Sequence, residues 1–541
     1  SIEFKFQLFR KNVSCIMLLP VVLIGSAGVL LFGYLYRLTK PQQSDPPCPG
    51  SDPIIGSFRY LERPLYRFMS ERFARDHLVL FFLGPTRMYY LNSYAAFREA
   101  MVDNAEALSG RVTQKPIELL IGSNGGLVGT DGELWKQYRR FTLHTLRDFG
   151  LGRRGAEHCI SLEAEELCSE IANRGSSEAI DVNLVLGRSV SNVICQLVFG
   201  SRLASENPEF ERILDAFNEF TANPRFQEEN FKALAFLPIS SRCTPLMRLL
   251  LKLPGMQGII KKMNYLLDFC QQQVEAHAAE MPEAGFSEAR DYIEAHLKHQ
   301  QLNQQTDDNG ADLFTNKRLG MAILDLFLAG TETTTTTLRW ALIYMLANPR
   351  VASKVREEIR QHLGVQGRVC MADKAKLHYT MATLEEVQRL ASLVTNGLTH
   401  RVTADIQVAG YKIPADSYMM YNMYYIHRDP DQFPEPDCFK PERYLDSEGR
   451  FQASQRLIQF GAGKRACLGE SLARMELFIF FVSLMQRFDF RLETDDCSAS
   501  GGGKIVDQAT RAQALLDYVD PEHLLVLIRH LPSYKLEFTE L

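Results

Sequence analysis

The amino-acid sequence predicts a mainly α-helical protein with small β-sheets and one N-terminal transmembrane helix. Long helical patterns run through residues 156–300 and 319–346. The segment Leu78–Leu91 has the composition of two short strands around a Gly84-Pro85 turn. Residues 15–36 form a run without any charge, and about 20 apolar residues are enough for a helix to span a bilayer.

Composition places the body of the chain among ordinary globular proteins. Of its 541 residues, 46% are hydrophobic and 23% are charged, which is typical of a protein with a large core. The formal net charge of −5 gives no support to a nucleic-acid partner. The 11 cysteines show no CxxC pairs, so a disulfide scaffold is not expected, and we place the body in a reducing compartment.

The N-terminal part divides into two predicted segments before the body. Residues 1–40 are expected to be a membrane anchor, although flanking charges on its two sides are nearly balanced and do not decide its orientation. The alternative is a cleaved signal peptide, whose apolar region is usually shorter, roughly 7–15 residues. Residues 41–56 are rich in proline and are expected to form a stiff hinge. The body then covers residues 57–541.

A glycine-rich loop around one cysteine is the strongest chemical signal in the sequence. Residues 460–469 read FGAGKRACLG, and a strongly helical run follows them. A cysteine just before a helix lies where backbone N–H groups and the helix dipole favour a thiolate. A thiolate with nearby donors suits a metal such as haem iron, whereas the simpler interpretation is a structural cysteine.

The pattern formed by Phe460, Gly463, Arg465, Cys467 and Gly469 resembles the haem-thiolate loop of the cytochrome P-450 superfamily. The wider sequence is similar to microsomal family 2 of that superfamily. The resemblance implies the P-450 fold, a helical prism with small sheets, as a catalytic domain. It also implies haem b as cofactor, with Cys467 as the axial iron ligand and with Phe460 and Arg465 in the cofactor site.

The apolar helix predicted over residues 319–346 has an unusual centre. It contains a glycine and a run of threonines, which are poor helix formers, and such local exceptions often mark functional sites. The simpler interpretation is that the threonines bond carbonyls four residues earlier while Glu332 faces water. The sequence A-G-x-E-T-T resembles the oxygen-activation motif of the P-450 family. That resemblance implies that Thr333 is the catalytic alcohol, that Glu332 is the catalytic acid and that Ala329 faces the haem.

Two further groups of residues match P-450 motifs in family order. The W-x-x-x-R pair Trp135 and Arg139, on one helical face, resembles a haem-propionate contact, and so does His400. The E-x-x-R motif and the P-E-R element are matched by Glu386, Arg389 and Arg443, which the resemblance places on the proximal side of the haem. Tyr444 stands where that element usually has phenylalanine.

The implied function is a monooxygenase that inserts one oxygen atom from O2 into a fatty acid, a steroid or a xenobiotic. Electrons are expected from NADPH through a flavin-containing reductase, with cytochrome b5 as a further candidate partner. Lys136, Arg140 and Lys464 are expected to attract the acidic reductase. The expected location is the endoplasmic reticulum membrane, with the catalytic domain on the cytosolic face.

Two other functions stay open from the sequence. A haem-thiolate isomerase or dehydratase would need no reductase, and the intact Glu332-Thr333 pair argues against it. A non-catalytic haem sensor would not need the full set of motifs.

Two regions carry expectations without chemistry of their own. Residues 217–254 are expected, by resemblance, to cover a substrate access channel. Residues 495–519 contain a glycine run and resemble an insertion near the final hairpin.

Overall fold

A computed structural model gives the fold of most of the chain. Apart from a few isolated positions, it describes residues 36–53, 55–111, 125–149, 154–175, 178–202, 254–282, 288–305, 314–365, 367–493, 507–518 and 526–541. The predicted anchor over 1–40 and the predicted access segment over 217–254 lie almost wholly outside the described residues. Both therefore stay predictions.

The described residues are mainly helical, as the sequence predicts. The α-helices are α1 (Leu65–Arg72), α2 (Tyr94–Arg98), α3 (Gly132–Asp148), α4 (Arg154–Arg174), α5 (Val182–Phe199), α6 (Pro254–Ala279), α7 (Tyr292–Gln305), α8 (Asn316–Ala347), α9 (Pro349–Leu363), α10 (His378–Ala391), α11 (Met423–Ile426), α12 (Glu470–Arg487) and α13 (Gln508–Leu516).

The strands are short and form small sheets, which also agrees with the prediction. They are β1 (Leu78–Leu83), β2 (Thr86–Leu91), β3 (Gly110–Arg111), β4 (Ile180–Asp181), β5 (His400–Arg401), β6 (Ile406–Val408), β7 (Tyr411–Ile413), β8 (Tyr418–Tyr421), β9 (Phe488–Leu492) and β10 (Lys535–Glu540). The largest sheet has the order β1-β2-β8-β5-β3. A second sheet has the order β4-β10-β9, and β6 pairs with β7.

The predicted hairpin of β1 and β2 is confirmed. Its strands pair antiparallel from Leu78↔Leu91 to Leu83↔Thr86, and Gly84 adopts a positive φ of 54° in the turn between them. All six residues of β1 are buried, so both of its faces are covered. Part of the predicted hinge pairs with the outer edge of β1, because Leu80 N donates to Pro47 O at 2.9 Å.

Helix α8 is the centre of the main hydrophobic core. It begins after Thr315, whose Oγ1 accepts the Arg318 backbone N–H at 3.3 Å, and this capping satisfies one free donor of the first turn. Helices α5, α6, α12 and α13 pack around it. Because α8 and α12 both contribute to the core, the loop before α12 and the centre of α8 are brought to one cavity.

Two other helices bear on the sequence predictions. Among the described residues, α5 is the one helix long and apolar enough to cross a bilayer, but 72% of it is buried inside the protein, as expected of a core helix. Helix α13 lies within the predicted insertion and is anchored by Ala512, which is fully buried.

Candidate active site

The cysteine loop and the centre of α8 line one cavity of about 320 Å³. Most of its wall is apolar, with residues from α5, α8, α10 and α12. The predicted site residues in the wall are Ala329, Thr333, Arg139, His400, Phe460, Arg465 and Cys467. The tertiary structure therefore brings together residues that lie more than 300 positions apart in the sequence.

Glycines shape the cysteine loop as the sequence predicts. Gly461 and Gly463 have φ values of 68° and 71°, in the left-handed region that favours glycine. A Cβ at Gly463 would lie 1.8 Å from the carbonyl oxygen of Met101, so this position has no room for a side chain. The Cys467 backbone N–H donates to Phe460 O at 2.8 Å and closes the loop, leaving the cysteine side chain exposed to the cavity.

The electrostatic environment of Cys467 combines opposing effects. Burial raises the pKa of the Cys467 thiol and is the largest effect. The backbone N–H groups of Gly469 and Glu470, at the start of α12, lower that pKa, and so does the Arg139 guanidinium. The stabilisation predicted from the helix start is thus present, but burial outweighs it in the polypeptide alone.

Basic side chains lie close together at one end of the cavity, and the arginines among them carry positive charge. Arg465 donates from Nε to Ser109 O at 2.7 Å, and its guanidinium stacks on Trp135 at 3.7 Å from the ring centroid. Arg139 donates from Nη2 to Ala466 O at 2.5 Å, which ties α3 to the cysteine loop. His400 Nδ1 lies 2.7 Å from Leu108 O, and burial holds the pKa of this histidine well below its usual range.

Arg111 belongs to the same cluster and was missed by the sequence reasoning. It is almost fully buried in β3, donates from Nη1 to Thr399 O at 3.1 Å, and has an Nε without a hydrogen-bond partner among the described residues. Burial lowers the pKa of Arg111 to about 10. Arg111 pairs with His400 across β3 and β5, a contact that no local motif announces.

This cluster tests whether haem fits the cavity. Burial, together with the nearby charges of Arg111 and Arg139, lowers the pKa of Arg465 to about 8. Arg111 is buried and Arg139 and Arg465 are half-buried, and none of the three forms an ion pair with a described carboxylate, so their charges are costly unless a bound anion compensates. A ligand with two carboxylates at one edge and a metal that accepts a thiolate satisfies both ends of the cavity, and haem b has these features.

The centre of α8 presents Thr333 to the cavity but turns Glu332 elsewhere. Thr333 lines the cavity, and its Oγ1 donates to Ala329 O at 2.6 Å, as the simpler interpretation of the threonines expects. Glu332 is not among the lining residues. Its carboxylate is buried, accepts a hydrogen bond from Thr336 Oγ1 at 2.9 Å, and lies 3.4 Å from His530 Nδ1. It therefore does not face water.

Gly330 has a packing role at this point of α8. A Cβ there would come within 2.5 Å of Ile194 Cδ1. The glycine thus permits the close approach of α5 to α8.

Two more carboxyl groups line the cavity and were also missed. Asp325 accepts the Val128 backbone N–H at 2.9 Å, and burial raises the pKa of Asp325 to about 6. Glu476 accepts from Thr334 Oγ1 at 2.9 Å, and burial raises the pKa of Glu476 to about 8. Both lie in apolar helical segments. In the sequence, the one sign of their role is an isolated acidic residue among apolar neighbours.

The three predicted scaffold residues meet in the structure. Glu386 and Arg389 form an ion pair at 2.7 Å with both side chains fully buried. Arg443 Nε donates to Glu386 Oε1 at 3.0 Å. None of the three lines the cavity, so they support the surrounding structure. Tyr444 joins them by donating its hydroxyl to Glu386 Oε2 at 3.1 Å.

Comparison with known proteins gives a consistent result. The sequence profile of the family described as Cytochrome P-450 matches residues 46–514. The chain is 35% identical to cytochrome P-450 2C16 of Oryctolagus cuniculus over 475 residues, which are 86% of this chain and 92% of that protein.

Two human relatives are similar to the same extent. The chain is 33% identical to cytochrome P-450 2C8 of Homo sapiens, over 88% of this chain and 94% of that protein. It is also 33% identical to cytochrome P-450 2J2 of Homo sapiens, over 87% of this chain and 90% of that protein. With a profile match over most of the chain and relatives of this identity, the chain belongs to the cytochrome P-450 family of haem-thiolate monooxygenases.

Proposed function

We propose that this chain inserts one atom of molecular oxygen into a lipophilic substrate, with electrons from NADPH delivered through a flavin-containing reductase. The main support for the proposal is that Cys467 and Thr333 both line one cavity whose walls are mostly apolar. Apolar walls favour substrates that lose little hydration on entering. Fatty acids, steroids and xenobiotics are the substrate classes to test.

We assign the binding of the cofactor to the cysteine and to the positive cluster. Haem b, when bound, supplies the iron at which oxygen is activated. Cys467 would hold it through Sγ. Arg111, Arg139, Arg465 and His400 would bind its carboxylates, because all four line the cavity and lie close enough for their charges to act on one another. Trp135 supports Arg465 by stacking and so belongs to the same part of the site.

We assign proton delivery to Thr333 and Glu332. Thr333 Oγ1 donates its own proton to Ala329 O, so its lone pairs are open to a hydrogen bond from the cavity. The hydroxyl can pass its proton toward the cavity only if a neighbouring group then supplies it with another proton. Glu332 is the adjacent acid on α8, and a positioned acid–base group of this kind contributes about 10²–10⁴-fold to a rate.

The test uses the purified haem-loaded chain with a reductase, NADPH and a panel of the three substrate classes. Thr333→Ala should leave the haem spectrum and substrate binding nearly unchanged, because only one hydroxyl and one methyl are removed. Product per NADPH should fall and peroxide release should rise. Thr337→Ala is the matched control, since Thr337 also lines the cavity and donates to the carbonyl four residues earlier, Thr333 O, at 2.8 Å.

Other results would refute parts of the proposal. Product formation from a peroxide without NADPH or reductase would favour the isomerase alternative. Equal product per NADPH in wild type, Thr333→Ala and Thr337→Ala would refute a role of Thr333 in proton delivery.

We propose that the acidic reductase docks on a basic groove beside the cysteine loop. The groove is lined by Trp135, Lys136, Arg139, Arg140, Leu143, His144, Arg147 and Lys464. Both lysines expected to attract the reductase are partly neutralised by Glu106. Lys136 Nζ lies 2.6 Å and Lys464 Nζ 3.7 Å from its carboxylate. The stronger contribution is therefore assigned to Arg140 and Arg147.

Charge reversal tests this docking surface. Arg140→Glu/Arg147→Glu should slow reduction by the reductase, and added salt should narrow the difference from wild type by screening. Lys261→Glu/Lys317→Glu, two exposed changes outside the groove, is the control for net charge because it reverses the same number of positive charges. Equal reduction rates in all three proteins would rule out this surface. Cytochrome b5 is a second candidate for the same groove.

We also propose that residues 1–40 anchor the protein in the endoplasmic reticulum membrane, with the hinge over 41–56 and the catalytic domain over 57–541 on the cytosolic face. The support is the uncharged run in residues 15–36. Removal of residues 1–40 should release much of the protein from membranes and keep its haem. A truncated protein that cannot bind haem would show that this segment is part of the fold.

A further inference from the structure

The carboxylate of Glu332 is held on the side of α8 that faces the C-terminal segment. Its side chain is 6% exposed, and Thr336 Oγ1 donates to its Oε1 at 2.9 Å. His530 Nδ1 lies 3.4 Å from the same oxygen. Burying a carboxylate costs free energy unless hydrogen-bond donors compensate for the lost water. Groups that can donate to Glu332 therefore stabilise its side chain in this position.

His530 is presented to α8 by a segment that is firmly attached. The preceding residue, Arg529, receives the Trp340 Nε1–H on its carbonyl at 3.0 Å and donates its backbone N–H to Leu393 O at 2.8 Å. Its guanidinium lies over the Trp340 ring at 4.5 Å and donates to Leu390 O at 3.0 Å. The position of His530 relative to α8 is thus set by contacts on both sides of the segment.

The attachment continues after His530. Arg339 of α8 donates from Nη2 to Pro532 O at 3.1 Å, and the Tyr534 hydroxyl donates to Arg339 O at 2.9 Å. The backbone on either side of His530 is therefore held to α8, through Trp340 before it and through Arg339 after it. A histidine fixed in this way is suited to orient a partner side chain.

The protonation of His530 favours donation to Glu332. Burial and the nearby Arg339 charge lower the pKa of His530 to about 4, so the ring is neutral at physiological pH. A neutral imidazole has one N–H, and Nε2 has no hydrogen-bond partner among the described residues. The tautomer with the proton on Nδ1 carries its N–H on the nitrogen that lies 3.4 Å from the Glu332 carboxylate.

We propose that His530 is a positioning residue for Glu332: its Nδ1–H donates to the Glu332 carboxylate and holds that carboxylate beside α8, where it takes up a proton from water that it then passes to Thr333. The inference rests on the proposed function and deepens it. It gives the C-terminal segment a role in proton delivery, because that segment supplies a donor to Glu332 in addition to the one from Thr336 of α8. Nothing in the A-G-x-E-T-T motif itself specifies His530.

Two substitutions separate hydrogen bonding from packing. His530→Leu removes the donor and keeps an apolar side chain, whereas His530→Asn retains an N–H donor close to the position of Nδ1. Loss of one hydrogen bond to a charged group should lower product per NADPH by about tenfold in His530→Leu, the lower end for such a bond. His530→Asn should recover most of that loss. The haem spectrum and substrate binding should stay unchanged in both.

The interaction between His530 and Glu332 is tested by making His530→Leu in both the wild-type and the Glu332→Gln protein. In Glu332→Gln, the change from His530 to Leu should have little further effect on coupling. The denaturant midpoint of the haem-loaded protein gives a readout independent of turnover. There, the shift caused by His530→Leu should be larger in wild type than in the Glu332→Gln background, since interacting residues are non-additive.

Several outcomes would overturn the inference. Wild-type coupling in His530→Leu, equal impairment in His530→Leu and His530→Asn, or additive midpoint shifts would each assign His530 a packing role. Failure of the proposed function looks different, because wild type itself would then lack reductase-dependent turnover. In that case, the midpoint comparison still decides whether His530 holds Glu332.

Discussion

The hydroxyl of Tyr444 offers a sharp test of the scaffold beneath the cysteine loop. The fully buried Glu386 carboxylate accepts five hydrogen bonds. Arg389 donates from Nε and Nη2 at 2.7 and 2.9 Å, the Lys440 backbone N–H at 2.8 Å, Arg443 Nε at 3.0 Å and the Tyr444 hydroxyl at 3.1 Å. Tyr444→Phe removes one donor and leaves the buried ring in place.

The magnitude follows from what remains after the substitution. A hydrogen bond to a charged group contributes about 1.5–3 kcal/mol to the free energy of unfolding. Because four donors stay on Glu386, the carboxylate is not left unpaired, and we expect the lower end, about 1.5 kcal/mol. Glu386→Gln should cost more, about 3–5 kcal/mol, because it leaves the buried Arg389 without a charged partner.

The assay is denaturant unfolding of the haem-loaded protein, followed by haem absorbance and by helical signal. Tyr379→Phe is the matched control, since that hydroxyl donates at 2.9 Å to Glu442 in an exposed pair. Water can replace an exposed hydrogen bond, so the control should cost about 0.5–1 kcal/mol, less than Tyr444→Phe. Equal costs in the two variants, or no cost in Tyr444→Phe, would refute the reasoning.

Three further predictions concern the cavity and its loop. Cys467→His should abolish the red-shifted Soret band of the reduced carbon monoxide complex, measured by difference spectroscopy. Gly463→Ala should yield little haem-loaded protein, measured as haem per polypeptide, because the added Cβ collides with Met101 O, 1.8 Å away. Burial raises the pKa of Asp325 from 3.8 to about 6, so its contribution to stability is present below the lower value and is lost as pH rises through the upper one. Asp325→Asn cannot ionise and keeps an acceptor for the Val128 N–H, so unfolding free energies measured across this pH range should vary less than in wild type.

Features set by local spacing could be predicted from the sequence. The glycines of the cysteine loop, the helix that follows it and the apolar run of α8 all depend on neighbours within a few residues. The Glu386–Arg389 ion pair is of the same kind, because residues three apart lie on one helical face. The resemblance to the P-450 family added the order of the motifs and the identity of the cofactor.

Contacts between distant segments were decided by the tertiary structure alone. Arg111 reaches the positive cluster because β3 pairs with β5, nearly 300 residues away. Glu332 is adjacent to Thr333 in the sequence, yet successive residues of a helix point about 100° apart, so one faces the cavity and the other faces His530. The C-terminal segment that brings His530 there is attached through Trp340 and Arg339, which no spacing rule connects to it. Sequence patterns thus determined which residues carry the chemistry, whereas packing determined the direction in which each of them points.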